Sequence, residues 1–302
     1  MTLRLGTRGS ALALTQSQTV ADRLAAVAGT RVELVAIESD GDRSSAPVAQ
    51  LGVGVFVSSL REALLAKEID LAVHSYKDLP TAPADGLTIA AVPVREDPRD
   101  AFISRTGVAL AQLPAGARIG TGAVRRVAQL RALGRDFTCV PMRGNVDTRL
   151  RKLADGEVDA VVLAAAGLRR LGRDGEITEL LDPEVMLSAP AQGALAVECR
   201  ASDYGLVEQL SRLDDEHTRA AVAAERTLLA TLEAGCSAPV AALACVDDEG
   251  HLHLRGAVFE LDGSRALRRA ATGPLSDATG IGARLAAELL AEGAASLMGE
   301  SA

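Results

Sequence analysis

A chain of 302 residues with 48% apolar content, no Trp, and 40 acidic against 32 basic side chains, a formal charge of -8, is neither disordered nor fibrous in composition. A globular chain of this length divides into two or three domains, and with 2% aromatic residues its cores must be built largely from Ala, Val and Leu. No apolar run approaches the roughly 20 residues of a membrane span, no His/Cys spacing suits zinc, and four scattered Cys without a CxxC pair or a secretory leader fit a reduced, cytoplasmic protein.

Residues 3–6 read as a strand and 10–26 as a helix with Ser10 as its N-cap, after the turn Thr7-Arg8-Gly9. A strand at 32–38, a helix at 57–66 and a strand at 69–74 follow. The strands are apolar rather than strictly alternating. That is the pattern of a mainly parallel sheet covered by helices on both faces, in which ligands sit beyond the carboxyl ends of strands. The same opening recurs with a strand at 118–120, the turn Thr121-Gly122 and a helix at 123–133, then an extended stretch at 138–140, a helix at 146–153 and a strand at 160–164. Gly6-Thr7 and Gly120-Thr121 each join a strand to a helix beside basic residues. They are either generic turns or the means by which two similar α/β domains offer helix N-termini to anions.

PVREDP at 93–98, charged and broken by proline, reads as a hinge, and LSAPAQGALAVEC at 187–199 as the chain crossing back. A helix at 220–232 comes next. Beyond Cys236 the character changes to short antiparallel strands at 240–245, 251–260 and 266–271, turns at 247–250 and Asp262-Gly263, and a closing helix at 281–290. The expected organisation is two doubly wound α/β domains, residues 1–95 with 190–214 and residues 96–189, and a smaller α+β domain at 215–302.

Residues 118–152 hold eight Arg and one Lys against Asp136 and Asp147, a local charge of +7 in an acidic protein. Such a run is either a solvated face or a cleft for several carboxylates or phosphates, for which the donor fork of Arg is suited. Its placement favours the cleft: Arg125 and Arg126 follow one helix start, and Arg143 and Arg149 flank Gly144-Asn145 at the next. Nucleic acid is a poor fit, because stacking aromatics are absent there and the net charge opposes a long polyanion. HSYKDLP, residues 74–80, ends an apolar strand where α/β folds place chemistry, although Lys77 and Asp78 by spacing alone also suit a surface ion pair. Among the thiols, Cys236 lies between Gly235 and Ser237 in an accessible turn, whereas Cys139, Cys199 and Cys245 sit in apolar runs that read as buried.

HSYKDLP closely resembles the HS-x-KD-x-P motif of the hydroxymethylbilane synthase, or porphobilinogen deaminase, family. GTRGSALALTQS, GTGAVRRVAQL, RGNVDTRL and LEAGCSAPVAALA are similar to that family's other motifs and occur in its order, so the resemblance covers essentially the whole chain. It implies two domains like those of periplasmic binding proteins with a smaller C-terminal domain, in a monomeric, cytoplasmic transferase of tetrapyrrole synthesis. The implied reaction joins four porphobilinogen molecules head to tail, releases four ammonia molecules and frees hydroxymethylbilane by hydrolysis. The implied cofactor is a dipyrromethane primer on a Cys thioether, here Cys236. Loss of ammonia from porphobilinogen creates an electrophilic azafulvene, and positive charge develops on pyrrole nitrogen as the chain extends. The resemblance assigns Asp78 to stabilise that charge and assist proton transfer. Each pyrrole brings an acetate and a propionate. Lys77, Arg8 and Ser10 in the first domain, and Arg125, Arg126, Arg143, Arg149 and Arg170 in the second, are implied to hold them.

Gln16 is expected to support the first helix, and Gln192 and Gly193 to shape the crossing. The chain departs from the family where Val53 and Ser58 replace two lysines of a loop at 42–56, and where Ala123 and Val124 replace two serines. The main competing reading is a non-catalytic, two-lobed binding protein for small carboxylates or other anions. A two-lobed regulator is a third reading, and it lacks room for a DNA-binding helix-turn-helix before the first strand.

Overall fold

The structure, a computed structural model, describes residues 2–37, 57–234 and 238–298. The first elements are β1 (Thr2–Thr7), α1 (Ala11–Ala28), β2 (Arg31–Ala36), α2 (Ser58–Leu65), β3 (Leu71–Ser75) and β4 (Leu87–Ala91). Then come β5 (Asp100–Ser104), β6 (Ala117–Thr121), α3 (Val124–Ala132), β7 (Phe137–Pro141), α4 (Val146–Ala154), β8 (Ala160–Ala164), α5 (Ala165–Arg170) and β9 (Glu179–Leu180). The chain continues through β10 (Leu195–Arg200), α6 (Tyr204–Ser211), α7 (Glu216–Thr231), β11 (Val240–Val246), β12 (His251–Phe259), β13 (Ala266–Pro274), α8 (Ala278–Ala291) and α9 (Ala294–Leu297). It divides into two compact units, Met1–Glu96 with Ala194–Arg219, and Asp97–Gly193 with Ala220–Ala302.

In the first unit the sheet order is β2-β1-β3-β10-β4. β1 is parallel to β2 and β3, while β10 is antiparallel to both its neighbours, so it alone is reversed. Alternate residues of β3 go to opposite faces, as strand geometry requires. Leu71 and Val73 pack with Val20 and Leu24 of α1 and Leu210 of α6, whereas Ala72 packs with Leu60 and Leu64 of α2. Burying each such Val or Leu contributes about 1.5–3 kcal/mol. α1 starts at Ser10, whose hydroxyl accepts the Ala13 N–H, and stops at Gly29, where φ of 62° suits glycine.

The second unit repeats the order as β7-β6-β8-β5-β9, with β5 the reversed strand. Ile103, Val161 and Leu163 pack with Leu150 and Leu153 of α4 and Leu168 of α5, and Phe102, Ala160 and Val162 pack with Leu130 of α3 on the other face. The same unit contains the antiparallel sheet β11-β12-β13, whose apolar face meets Leu228 of α7 and Leu285 and Leu289 of α8. A Cβ on Gly256 would fall 2.6 Å from the Leu228 side chain, so glycine is what admits the helix so closely.

The doubly wound sheets and the antiparallel sheet that follows them agree with the expectation from sequence. Residues 92–98 have no regular structure, and the division between units falls at Glu96. Six elements are additional to those expected from sequence: β4, β5, β9, α5, α6 and α9. β5 escapes notice because it begins two residues after Pro98 with a charged Asp, and α7 starts at Glu216, earlier than its Ala-rich stretch indicates.

Candidate active site

In the first unit, the carboxyl ends of β1 and β3 lie side by side because the strands are parallel neighbours. β1 delivers Thr7, Arg8 and Ser10. Thr7 is buried and donates to the Arg8 carbonyl at 3.3 Å, and Arg8 and Ser10 are partly buried. β3 runs into a short 3₁₀ turn, Tyr76–Asp78, that presents Lys77 partly buried and Asp78 exposed. The turn is fastened by its neighbours in sequence. The Ser75 hydroxyl bonds the Gln16 side-chain amide of α1 at 3.1 Å, and the Tyr76 N–H donates to the Ala194 carbonyl at 3.0 Å. His74 Nε2 lies 3.0 Å from Glu198 Oε2 on β10, and Arg61 of α2 also binds Glu198, with Nη2 at 2.9 Å from Oε1. Burial works against a charged Glu198, but the His74 and Arg61 bonds keep its pKa below the ordinary value. Gln16 thus ties α1 to the end of β3.

In the second unit, the carboxyl ends of β6, β7 and β8 carry Arg125 and Arg126, then Arg143 and Arg149, then Arg170. Gly122 makes the first turn tight: a Cβ there would lie 2.6 Å from the Met142 carbonyl and 3.8 Å from Arg149 Nη2. The arginines fall into two groups. Arg125 and Arg126 are 3% and 5% exposed and share the fully buried Asp100. Arg125 Nη1 donates to Asp100 Oδ2 and Arg126 Nη2 to Oδ1, both at 2.7 Å. Arg125 also donates to the Leu187 carbonyl at 2.9 Å and to Gln192 Oε1 at 3.0 Å, and Arg126 to the Val162 carbonyl at 3.0 Å. Burial alone would raise the Asp100 pKa, yet the two guanidinium groups hold it far below the usual carboxylate range.

Arg143 and Arg149 are only partly buried. Arg149 Nε donates to the Gly144 carbonyl at 2.9 Å, where Gly144 has φ of 101°. Burial first, then repulsion from Arg126 and Arg143, brings the Arg149 pKa down to about 10. Among the described residues, the charges that act on Arg149 are those of Arg126 and Arg143. The site therefore gains when an anion arrives. Arg170 Nη2 donates to the Gly193 carbonyl at 2.7 Å.

The full +7 of residues 118–152 is not available to a ligand, because acids from elsewhere in the chain meet part of it. Arg118 pairs with Asp159 at 3.2 Å and Lys152 with Glu157 at 3.5 Å, besides the Asp100 network. Asp100 is the residue the sequence reading missed. Its signal was an acid at the head of the apolar run AFIS. Gln192 bears out its structural role: buried, it donates to Asp100 Oδ1 at 2.9 Å and to the Pro98 carbonyl at 2.7 Å.

Cys236 and the loop at 42–56, including Val53, lie outside the described residues, and Ser58 opens α2. Of the other thiols, Cys199 is buried and its pKa is pushed by burial up to about 11, whereas Cys139, expected to be buried, is only partly so, though burial still raises its pKa. Both are poor thiolates. The expectation that Cys245 is buried is corrected: it is exposed, since strand alternation turns Ala244 inward and Cys245 outward on β11. Among the described residues no group of three His, Cys, Asp or Glu side chains could hold a metal, and no helix is long and apolar enough to cross a membrane.

Two doubly wound sheets of matching order, each with basic side chains at its strand ends, define an α/β protein of the two-sheet, doubly wound class. Residues 3–208 match the family described as "Porphobilinogen deaminase, dipyromethane cofactor binding domain", and residues 219–291 match "Porphobilinogen deaminase, C-terminal domain". The chain belongs to the porphobilinogen deaminase family. It is 58% identical to the porphobilinogen deaminase of Nocardia farcinica, covering 99% of this chain and 89% of that one. It is 56% identical to that of Mycobacterium tuberculosis, covering 98% of both. Porphobilinogen deaminase 1 of Streptomyces coelicolor is 55% identical, covering 99% of this chain and 98% of that one. Among solved structures, the methionine-binding protein MetQ has a TM-score of 0.45 at 13% identity, covering 70% of this chain and 89% of that one.

Proposed function

We propose that the described strand ends carry the porphobilinogen deaminase reaction, with Asp78 as the catalytic carboxylate and Cys236 as the point of cofactor attachment. The chain is a transferase that takes porphobilinogen as substrate, extends a dipyrromethane primer by four units with loss of four ammonia molecules, and releases hydroxymethylbilane by hydrolysis. The primer supplies the free pyrrole carbon from which the chain grows. The observation that carries the assignment of the binding residues is the placement of Arg143 and Arg149, both only partly buried, on either side of the helix start at Asn145 that follows β7. A group bearing several carboxylates fits donors placed there.

Asp78 is exposed on a turn held by Ser75, Gln16 and the Tyr76 N–H, so its carboxylate meets substrate in a fixed place. There it stabilises positive charge on pyrrole nitrogen and accepts or returns a proton. Lys77, Arg8 and Ser10 bind acidic side chains of the substrate from the same unit. Arg143, Arg149 and Arg170 do so in the second unit, and Arg125 and Arg126 contribute through the network that fixes the turn after β6. A cytoplasmic monomer of three domains, bounded as the sequence indicates, is part of the proposal. The separate core of the antiparallel sheet supports the third domain.

A non-catalytic anion-binding protein accounts for the basic strand ends but not for the family match over 219–291. Single-turnover consumption of porphobilinogen by primer-loaded Asp78→Asn tests the catalytic assignment. Consumption of the first substrate at the parental rate would reject it.

A further inference from the structure

Glu225 of α7 is an acid in the middle of the apolar run AAVAAERTLLA, and it is fully buried. A carboxylate in such a place needs hydrogen bonds to both oxygens. Glu225 Oε1 accepts the Ala244 N–H of β11 at 2.7 Å, and Oε2 accepts the Ala191 N–H at 2.6 Å. One side chain therefore joins α7, the antiparallel sheet and the segment before β10.

Ala191 is a buried, non-glycine residue with φ of 61°, a left-handed conformation that a Cβ disfavours. Its N–H points at Glu225, and that bond is what the conformation gains. The next residue is Gln192, which bonds Asp100, Arg125 and the Pro98 carbonyl. Asp100 Oδ1 in turn receives Arg126 Nε at 3.2 Å and Nη2 at 2.7 Å. Arg126 is one of the two cations that depress Arg149. Hydrogen bonds and one peptide link thus lead from Glu225 through Gln192 and Asp100 to Arg125 and Arg126. In the other direction, α7 ends at Thr231, five residues before Cys236 in the sequence.

We propose that Glu225 is a positioning residue for chain extension. By holding Ala191 in its left-handed conformation it aims Gln192 at the Asp100–Arg125–Arg126 network, and by holding Ala244 it sets α7 and its sheet in register with that network. The inference rests on the porphobilinogen deaminase reading of the chain. Glu225 touches no substrate. Its effect is on how well the arginines meet each added pyrrole, where a misplacement of about 1 Å can cost about 100-fold.

Glu225→Gln keeps the shape but offers one carbonyl to two N–H donors, so one of them loses its acceptor. The test compares parent, E225Q, the double variant E225Q with Ala191→Gly, and Leu228→Ala as a control that weakens the same helix through its apolar core. Primer content and enzyme-bound adducts are read by intact mass, extension rates by single turnover, and stability by thermal unfolding. The expected E225Q protein carries primer but extends it about 10- to 100-fold more slowly, accumulating early adducts. Glycine at 191, for which the left-handed conformation is free, recovers part of the rate. L228A lowers the melting temperature without changing the adduct distribution. Parental extension in E225Q overturns the inference, as does a defect that glycine does not relieve and that L228A reproduces at equal loss of stability. If E225Q cannot be purified, Glu225→Asp, shorter by one methylene, carries the same test, and parental rates in it overturn the inference equally. Absence of a covalent dipyrrole in the parent would instead refute the functional reading.

Discussion

At the scale of single residues, Asp100 and Asp78 show how one residue type takes opposite roles. Asp100 is fully buried between two guanidinium groups, and removing its charge strands both of them. Asp100→Asn is expected to cost about 3–5 kcal/mol at neutral pH, measured by denaturant unfolding, the range for breaking a buried ion pair. Because the folded-state pKa is depressed, this stability is present in full above the unfolded value near about 4 and is lost as pH falls toward the folded value. The gap between parent and variant should therefore stay flat from about pH 5 to 8 and close below about pH 4. A gap that widens on acidification would contradict the ion-pair account. Exposed Asp78 behaves otherwise: Asp78→Asn should leave the fold and primer affinity near parental while single-turnover rates fall by about 100-fold or more. The sequence made Asp78 visible because it ends an apolar strand in a distinctive motif. Asp100 was hidden because its partners are 25 and 26 residues away, and only folding brings them together.

At the scale of elements, the strand-turn-helix starts after β6 and β7 create the anion-poor site. Burial and the neighbouring Arg126 and Arg143 lower the Arg149 pKa to about 10, so the folded state carries a cost for its charge that a bound anion relieves. Arg149→Leu, without primer, should thus unfold at the same temperature as the parent or higher, while primer loading or chain extension falls. Circular dichroism and the masses of enzyme-bound adducts check the two halves. Arg143→Leu should show the same separation, and normal loading with a normal adduct distribution in both variants would reject the proposal. These starts were legible because Gly-Thr pairs, N-cap residues and helical periodicity are local signals. The strands β4, β5 and β9 were not: β5 opens on a charged Asp just after Pro98, β9 has two residues, and the partners of β4 and β5 come from distant chain. Local charge misled in part for the same reason: Asp159 and Glu157 lie beyond the Arg-rich run but pair with it.

At the scale of the whole molecule, the activity is shown by the family match over 3–208 and 219–291 and by near full-length relatives, not by the repeated sheet order. The proposed choice of thiol rests on sequence more than on structure. Burial raises the pKa of Cys139 and Cys199, but Cys245 proves exposed, so among the described thiols accessibility does not set Cys245 aside. The resemblance of LEAGCSAPVAALA to the family's Gly-Cys motif decides for Cys236. The measurement that tests the account most directly is intact mass of the purified protein before and after porphobilinogen, followed by peptide mapping. The account predicts a dipyrromethane increment on Cys236 alone, successive one-pyrrole additions on the same peptide, and no retained primer in Cys236→Ala. An active protein without a covalent pyrrole, or with the pyrrole mapped to Cys139, Cys199 or Cys245, would contradict it.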